Sequence, residues 1–166
     1  MTRYVGVDLH RRRSVIVVLD ADGTELWTRG IDNDPLTLGL EIEKAGPDPE
    51  VVLEATWGWY WAADVITQAG GRVHLAHPLE IAGFENRRVK NDRIDARLLA
   101  DLLGMGRLPE SWIAPEGIRH QRELVRYRRK LSQLRSGLKA QVHAVLLLSS
   151  SPVDPSRAAG RSWRAI

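Results

Sequence analysis

The chain has no cysteine, which excludes disulfides, thiolate zinc sites and a cysteine nucleophile at once. No apolar run approaches the roughly 20 residues of a membrane-spanning helix, and the N-terminal MTRYVGVDLHRRR lacks the uncharged core of a signal peptide. A soluble, cytoplasmic protein with no membrane partner is the expectation. Internal repeats and long low-complexity tracts are missing, and 166 residues suit one ordinary domain with an appended helical element rather than two catalytic domains. Acid is nearly missing from one stretch, where Arg119, Arg122, Arg126, Arg128, Arg129, Lys130, Arg135 and Lys139 surround only Glu123. With a net charge of only +3, this clustering points to a polyanion, nucleic acid before membrane because no apolar anchor accompanies it. A solvated helix face is the plainer alternative.

The first strand pattern, Arg3 to His10, alternates: Val5, Val7 and Leu9 share one face, Tyr4, Gly6, Asp8 and His10 the other. Ser14 to Asp20 reads as a buried strand, ADGT supplies a turn, and ELWTRGI completes an antiparallel meander. Helical spacing of Leu36, Leu40 and Ile42 predicts a helix over 35–45, stopped by Gly46-Pro47, and a strand follows over 50–56. A helix from Trp59 to Ala69 ends at Gly70-Gly71, RVHLAHP is a further strand, and KNDRIDARLLADLL is helical. Three strands followed by alternating helices and strands predict an α/β, RNase H-like mixed sheet flanked by helices. Beyond residue 115, Leu124, Tyr127, Leu131, Leu134, Leu138, Gln141, Val145 and Leu148 recur at spacings of three and four, as a coiled-coil seam does. A single amphipathic stripe packed on the sheet would read almost the same. The expected organisation is a catalytic domain over 1–108, a basic coiled-coil helix over 109–148, and over 149–166 a loose tail or the start of a truncated second domain.

Four carboxylates stand out: Asp8 and Glu54 in strand patterns, and Asp92 and Asp95 one helical turn apart. A carboxylate on a buried strand is costly unless it is paired or binds a metal. If the crossover sets the strand of Glu54 parallel to that of Asp8, the two become neighbours. Asp95 precedes Leu98 and Leu99 by three and four positions, so the acidic pair borders the buried stripe, while Arg93 and Arg97 point elsewhere. Four such groups resist joint ionisation without a counter-charge, and two Mg²⁺ or Mn²⁺ ions, which prefer oxygen ligands, would supply it. Two ions a few ångströms apart serve phosphodiester cleavage or strand transfer. Plainer roles exist for each acid: Asp92 as a helix cap, Asp95 at the positive helix end, Asp8 and Glu54 paired to arginine.

With these residues in view, the chain resembles the N-terminal half of the transposases of insertion-sequence family 110, whose catalytic domain is similar to RuvC-type Holliday junction resolvases. The resemblance is carried by YVGVDLH, LEATWGWYW, His77-Pro78 and RRVKNDRIDARLLADLL, the last matching a K-x-D-x-x-D-A signature through Lys90, Asp92, Asp95 and Ala96. It covers roughly residues 3–145. It implies an RNase H-like fold, a DEDD acid set at Asp8, Glu54, Asp92 and Asp95 as catalytic residues and metal ligands, and Mg²⁺ dependence. It further implies a coiled-coil helix through which protomers associate into a homo-oligomer, and DNA transposition directed by a structured guide RNA, so that DNA and RNA are the implied partners. Complete members look longer, with a second domain bearing a serine nucleophile, and a truncated copy is the expectation here.

Trp57, Trp59, Tyr60 and Trp61 can stack on unpaired bases, although packing is the commoner role of such residues. Trp57, closest to Glu54, and Lys90, suited to a backbone phosphate, join Arg122, Arg126, Arg129 and Lys130 as candidate nucleic-acid contacts. His10 shares a face with Asp8, but no histidine pair has zinc-ligand spacing. Two competing readings are a non-catalytic nucleic-acid-binding or dimerisation fragment, which needs none of the acids, and a fragment of an actin-like or sugar-kinase-type ATPase, which begins with a similar G-x-D strand but requires more chain.

Overall fold

A computed structural model describes residues 1–56, 58–81, 83 and 91–148. The meander is β1 (Tyr4–Leu9), β2 (Arg13–Leu19) and β3 (Glu25–Asp32). Its second turn is built on Asp20, whose Oδ1 accepts from the amides of Asp22 (3.0 Å) and Thr24 (2.9 Å), with Gly23 in the left-handed region at φ 80°. Next come α1 (Pro35–Lys44), β4 (Glu50–Glu54), α2 (Trp59–Gln68), β5 (Arg72–Ala76), the single turn α3 (Pro78–Ile81) and α4 (Asp92–Gly104). The strands lie in the order β3-β2-β1-β4-β5, antiparallel across β1, β2 and β3 and parallel across β1, β4 and β5. This mixed sheet is RNase H-like.

The alternation in β1 has the foreseen effect. Val5, Val7 and Leu9 turn to one face and pack with Ile16, Val18, Val51 and Leu53 against Leu38 and Ile42 of α1 and Ala62 and Ile66 of α2. Helix α1 begins where Asp34 caps it, its carboxylate accepting from the Thr37 amide at 2.8 Å, with Pro35 at the first helical position. Of the expected stripe Ile42 is buried, but Leu36 and Leu40 are exposed and Leu38 lies inside in their place. Four apolar residues two apart could not tell which of two adjacent stripes the sheet would cover.

The opposite face carries α4. Val17 and Leu19 pack on Ala96 and Ala100, and Val52 and Ala76 on Leu99 and Leu102. Alanines rather than leucines occupy the innermost positions because helix and strand backbones nearly touch. A Cβ on Gly6 would run into the carbonyl oxygen of Ala96 and lie 3.0 Å from the Ala100 nitrogen. At the other end of the same contact, a Cβ on Gly104 would lie 3.3 Å from the Tyr4 ring. Helix α4 therefore runs antiparallel to β1, with its first turn at the carboxyl end of the strand.

Residues after α4 close the β5 edge: the His77 amide donates to Pro109 O (2.8 Å), the Ser111 amide to Leu75 O (2.6 Å), and Glu110 bridges Ala76. The chain divides into two compact units, the first spanning Met1–Ile113 and the second beginning at Ala114. The second contains α5 (Glu116–Leu148), which at 33 residues is about 50 Å long. It buries none of its residues, and Leu124, Tyr127, Leu131, Leu134, Leu138 and Val145 of the seam are all exposed.

Gly6→Ala is expected to lower the stability of the first unit by on the order of 3 kcal/mol, because the methyl meets backbone that has no rotamer with which to yield. Urea unfolding measures this directly, and a cost below that of an ordinary strand substitution would contradict the close approach.

Candidate active site

Each sheet register step fixes a side chain's face. In the parallel ladder of β1 and β4, Tyr4, Val5, Gly6 and Val7 stand opposite Glu50, Val51, Val52 and Leu53. The next position on each strand is Asp8 and Glu54, on the face of Gly6 and Val52 that α4 covers. Both are half-buried, and β4 ends at Glu54. Antiparallel to β1, α4 brings its first turn, with Asp92 and Asp95, to the same end of the sheet. Asp95 is half-buried and Asp92 exposed.

The tightest grouping joins Asp8 and Asp92 through a third residue. His10 Nε2 lies 3.0 Å from Asp8 Oδ2 and 3.4 Å from Asp92 Oδ1. One ligating atom from each of Asp8, His10 and Asp92 lies within 4.8 Å of the others, a spacing that can hold a metal ion. Glu54 and Asp95 are not in that group. They flank it, one on the adjacent strand and one a helical turn along. His10 was visible in the sequence only as a residue two positions from Asp8 on the same face. Its second partner comes from a helix far along the chain, which no local spacing reveals.

The loop that carries His10 is pinned. Asn33 Nδ2 donates to the His10 carbonyl (2.6 Å), Asn33 Oδ1 accepts from Ser14 Oγ (2.6 Å), and the Asn33 amide donates to Arg12 O (2.9 Å). Asp92 does not cap α4. Asn91 does, its Oδ1 accepting from the Arg93 amide at 3.1 Å. The Asp92 and Asp95 carboxylates both lie in the first turn, where the positive helix end favours them.

Arg93 and Arg97 turn away from the acids and clamp β3. Arg93 Nη2 donates to Glu25 Oε1 (2.6 Å) and Arg97 Nη1 to Glu25 Oε2 (3.0 Å). The hydrogen bond from Thr28, then those from Arg93 and Arg97, hold the Glu25 carboxyl below its ordinary value of 4.5 against the opposing effect of burial. Two cations beside the site are thereby neutralised by a structural acid. Of the candidate nucleic-acid contacts, Arg122, Arg126, Arg129 and Lys130 lie on α5, where Arg126 Nη1 is 2.6 Å from Glu123 Oε1. Lys90 and Trp57 fall outside the described residues.

The five-stranded order, with carboxylates at the carboxyl end of the central strand and on the helix covering it, defines an RNase H-like protein whose donor set suits a divalent cation. The family model of the DEDD transposases of insertion sequence 110, described as "Transposase", matches residues 5–150, and the chain belongs to that family. DNA cleavage and recombination is accordingly its general field of action. Among solved structures the chain is similar to RuvC of Thermus thermophilus, with 13% identity over 66% of this chain and 99% of that one and a TM-score of 0.46. It is also similar to T. thermophilus RuvC in complex with Holliday junction substrate, with 12% identity over 67% and 100% of the two chains and a TM-score of 0.43. No curated protein sequence matches. No helix among the described residues is long and apolar enough to cross a membrane.

Because Glu25 is held below its ordinary value, the stability it contributes is full above 4.5 and is lost as the pH falls through its lowered folded value. Glu25→Gln should therefore cost about 1 kcal/mol in urea unfolding at neutral pH, discounted for the exposure of both arginines. The difference from the parent should close as the pH falls below 4.5; a gap constant with pH would show that the carboxylate's charge plays no part.

Proposed function

We propose that the chain is the catalytic domain of a DNA transposase, cleaving and transferring phosphodiester strands with two Mg²⁺ or Mn²⁺ ions held by Asp8, Glu54, Asp92 and Asp95. The observation that carries the reading is the convergence of Asp8, His10 and Asp92 within 4.8 Å at the carboxyl end of β1, with Glu54 and Asp95 on the two elements beside it. When bound, the ions supply a more acidic attacking water or hydroxyl and charge stabilisation at the leaving oxygen. Everything else falls to the chain's own residues. Asp8 and Glu54 are fixed by strand register, so their separation changes little. Asp92 and Asp95 ride on a capped helix whose axis is set by contact with Gly6. His10 adds a nitrogen donor between Asp8 and Asp92, on a loop that Asn33 keeps from drifting. The exposed Arg11 and Arg12 of the same loop attract the DNA backbone toward acids that would otherwise repel it.

In this reading the first unit, Met1–Ile113, forms the catalytic domain and α5 is the basic helix, so that the expected boundary at 108/109 moves past the residues that edge β5, and 149–166 is a tail or the start of a further domain. Arg122, Arg126, Arg129 and Lys130 of the helix contact DNA or a guide RNA, with Lys90 and Trp57 as further proposed substrate contacts. The exposed seam of α5 pairs with another copy of the chain. Support for that comes from the exposure of Leu124, Tyr127, Leu131, Leu134, Leu138 and Val145 on a helix that buries none of its residues. The protein would work in the cytoplasm, where DNA is reached without crossing a membrane.

Asp8→Asn or Asp95→Asn should reduce Mn²⁺-dependent nicking of branched DNA by roughly 10²- to 10³-fold while DNA binding survives. Undiminished nicking by either variant would refute the site, and binding and nicking lost together would favour a merely structural role. Replacing Leu131 and Leu134 together by Asp should leave a monomer in light scattering while the first unit keeps its melting transition. An oligomer that persists would place the contact elsewhere.

A further inference from the structure

Beside His10 the surface sinks into a cavity of about 240 Å³, lined by His10, Arg11, Asn33, Pro35, Gly58 and Trp61. It lies at the carboxyl ends of the parallel strands, where open α/β sheets hold their ligands. Its volume is below the roughly 300–1,000 Å³ of sites for drug-sized molecules, so it suits one small flat group. The walls have a matching chemistry: an indole and a proline ring for a planar face, and an imidazole and a guanidinium at the rim.

The aromatic run after β4 divides by role. Trp59 and Tyr60 pack edge-on against each other, with ring centroids 4.3 Å apart and planes at 72°. Trp61, partly buried against the core as Trp59 is, also lines the cavity. Gly58 turns the chain into α2 at φ 80°, a backbone conformation in which a side chain would be strained. The Asn33 amide is committed at both ends, to the His10 carbonyl and to Ser14, so it holds the wall rather than reading a ligand's edge.

We infer that this cavity receives one unpaired base of the DNA strand whose phosphate lies at the carboxylates, stacked on Trp61 and held with little preference among bases. The inference rests on the nuclease reading above and adds a nucleobase site that the four acids do not require. A phosphodiester placed at Asp8 and Asp92 has its neighbouring nucleoside about one side chain away, and the His10 ring is that side chain. The base can enter only by leaving its stack, which costs least where the strand is already unpaired. With the Asn33 side chain committed elsewhere, stacking and charge dominate, and both tolerate any base.

The test uses the full chain, Ca²⁺ in place of Mg²⁺, a single-stranded oligonucleotide carrying one 2-aminopurine, and a duplex of the same length. Fluorescence of the 2-aminopurine should fall on binding. Trp61→Leu should restore it and weaken single-strand binding roughly tenfold, leaving duplex affinity unchanged. Equal losses for single strand and duplex, or unchanged quenching in a variant that melts like the parent, would overturn the proposal. Should the variant not fold, photocrosslinking of a 5-iodouracil oligonucleotide to the parent protein decides: a crosslink in the peptide of Trp61 supports the site and one confined to other peptides refutes it. Quenching without any nicking by the parent would sink the nuclease reading alone, and normal nicking without quenching would sink this one alone.

Discussion

The backbone of α4 rests on the bare Cα of Gly6, and most of what distinguishes this chain follows from that contact. With no side chain between them, strand and helix approach until only alanine fits on the inner face of the helix, at Ala96 and Ala100. Such proximity leaves almost no freedom to rotate or slide, because any shift drives backbone into backbone. Apolar packing and the Glu25 clamp hold α4 on the sheet, and the close approach at Gly6 fixes where its first turn falls over the end of β1. The acids themselves contribute no attraction to that placement.

Gathering like charges needs a frame that holds them whether or not a cation is present. The sheet register supplies half of that frame, with Asp8 and Glu54 at successive positions of a parallel ladder. Helix α4 supplies the other half. Asn91 relieves Asp92 of capping, and Glu25 draws Arg93 and Arg97 across to β3, so the nearest guanidinium groups are spent on holding the helix. His10 stands between Asp8 and Asp92, 3.0 and 3.4 Å from their carboxylates. It also forms the wall between them and the adjoining cavity, so one loop serves both places. Asn33 ties that loop to the end of β3 and so links the meander to the chemistry at its tip.

Helix α5 obeys different physics. Its apolar residues recur along one side yet remain exposed, and its cations outnumber its acids, so it gains little from its own packing. In the reading proposed above, a helix of that composition and length would be completed by another apolar seam on one side and a polyanion on the other.

Much of this was legible in the residues. Alternation in YVGVDL assigned faces to Asp8 and Val7, and the spacing of Asp92 and Asp95 put both on one helical turn, because these depend on local periods of two and 3.6 residues. The stripe of α1 was read one step away from the true one, and α4 was given its large leucines as a core although its alanines lie innermost. Local pattern shows that a helix has an apolar side, while the partner surface decides which residues face it. So the sequence by itself determined the strands and helices, the identity of the four acids, and the basic, seam-bearing character of the last helix. Tertiary structure alone decided that His10 stands between Asp8 and Asp92, that Asn91 caps α4, that Arg93 and Arg97 answer to Glu25, and that a cavity opens beside Trp61. Each of these joins residues distant in the chain, and their meeting depends on strand order and on how closely Gly6 lets α4 approach, neither of which any local period encodes.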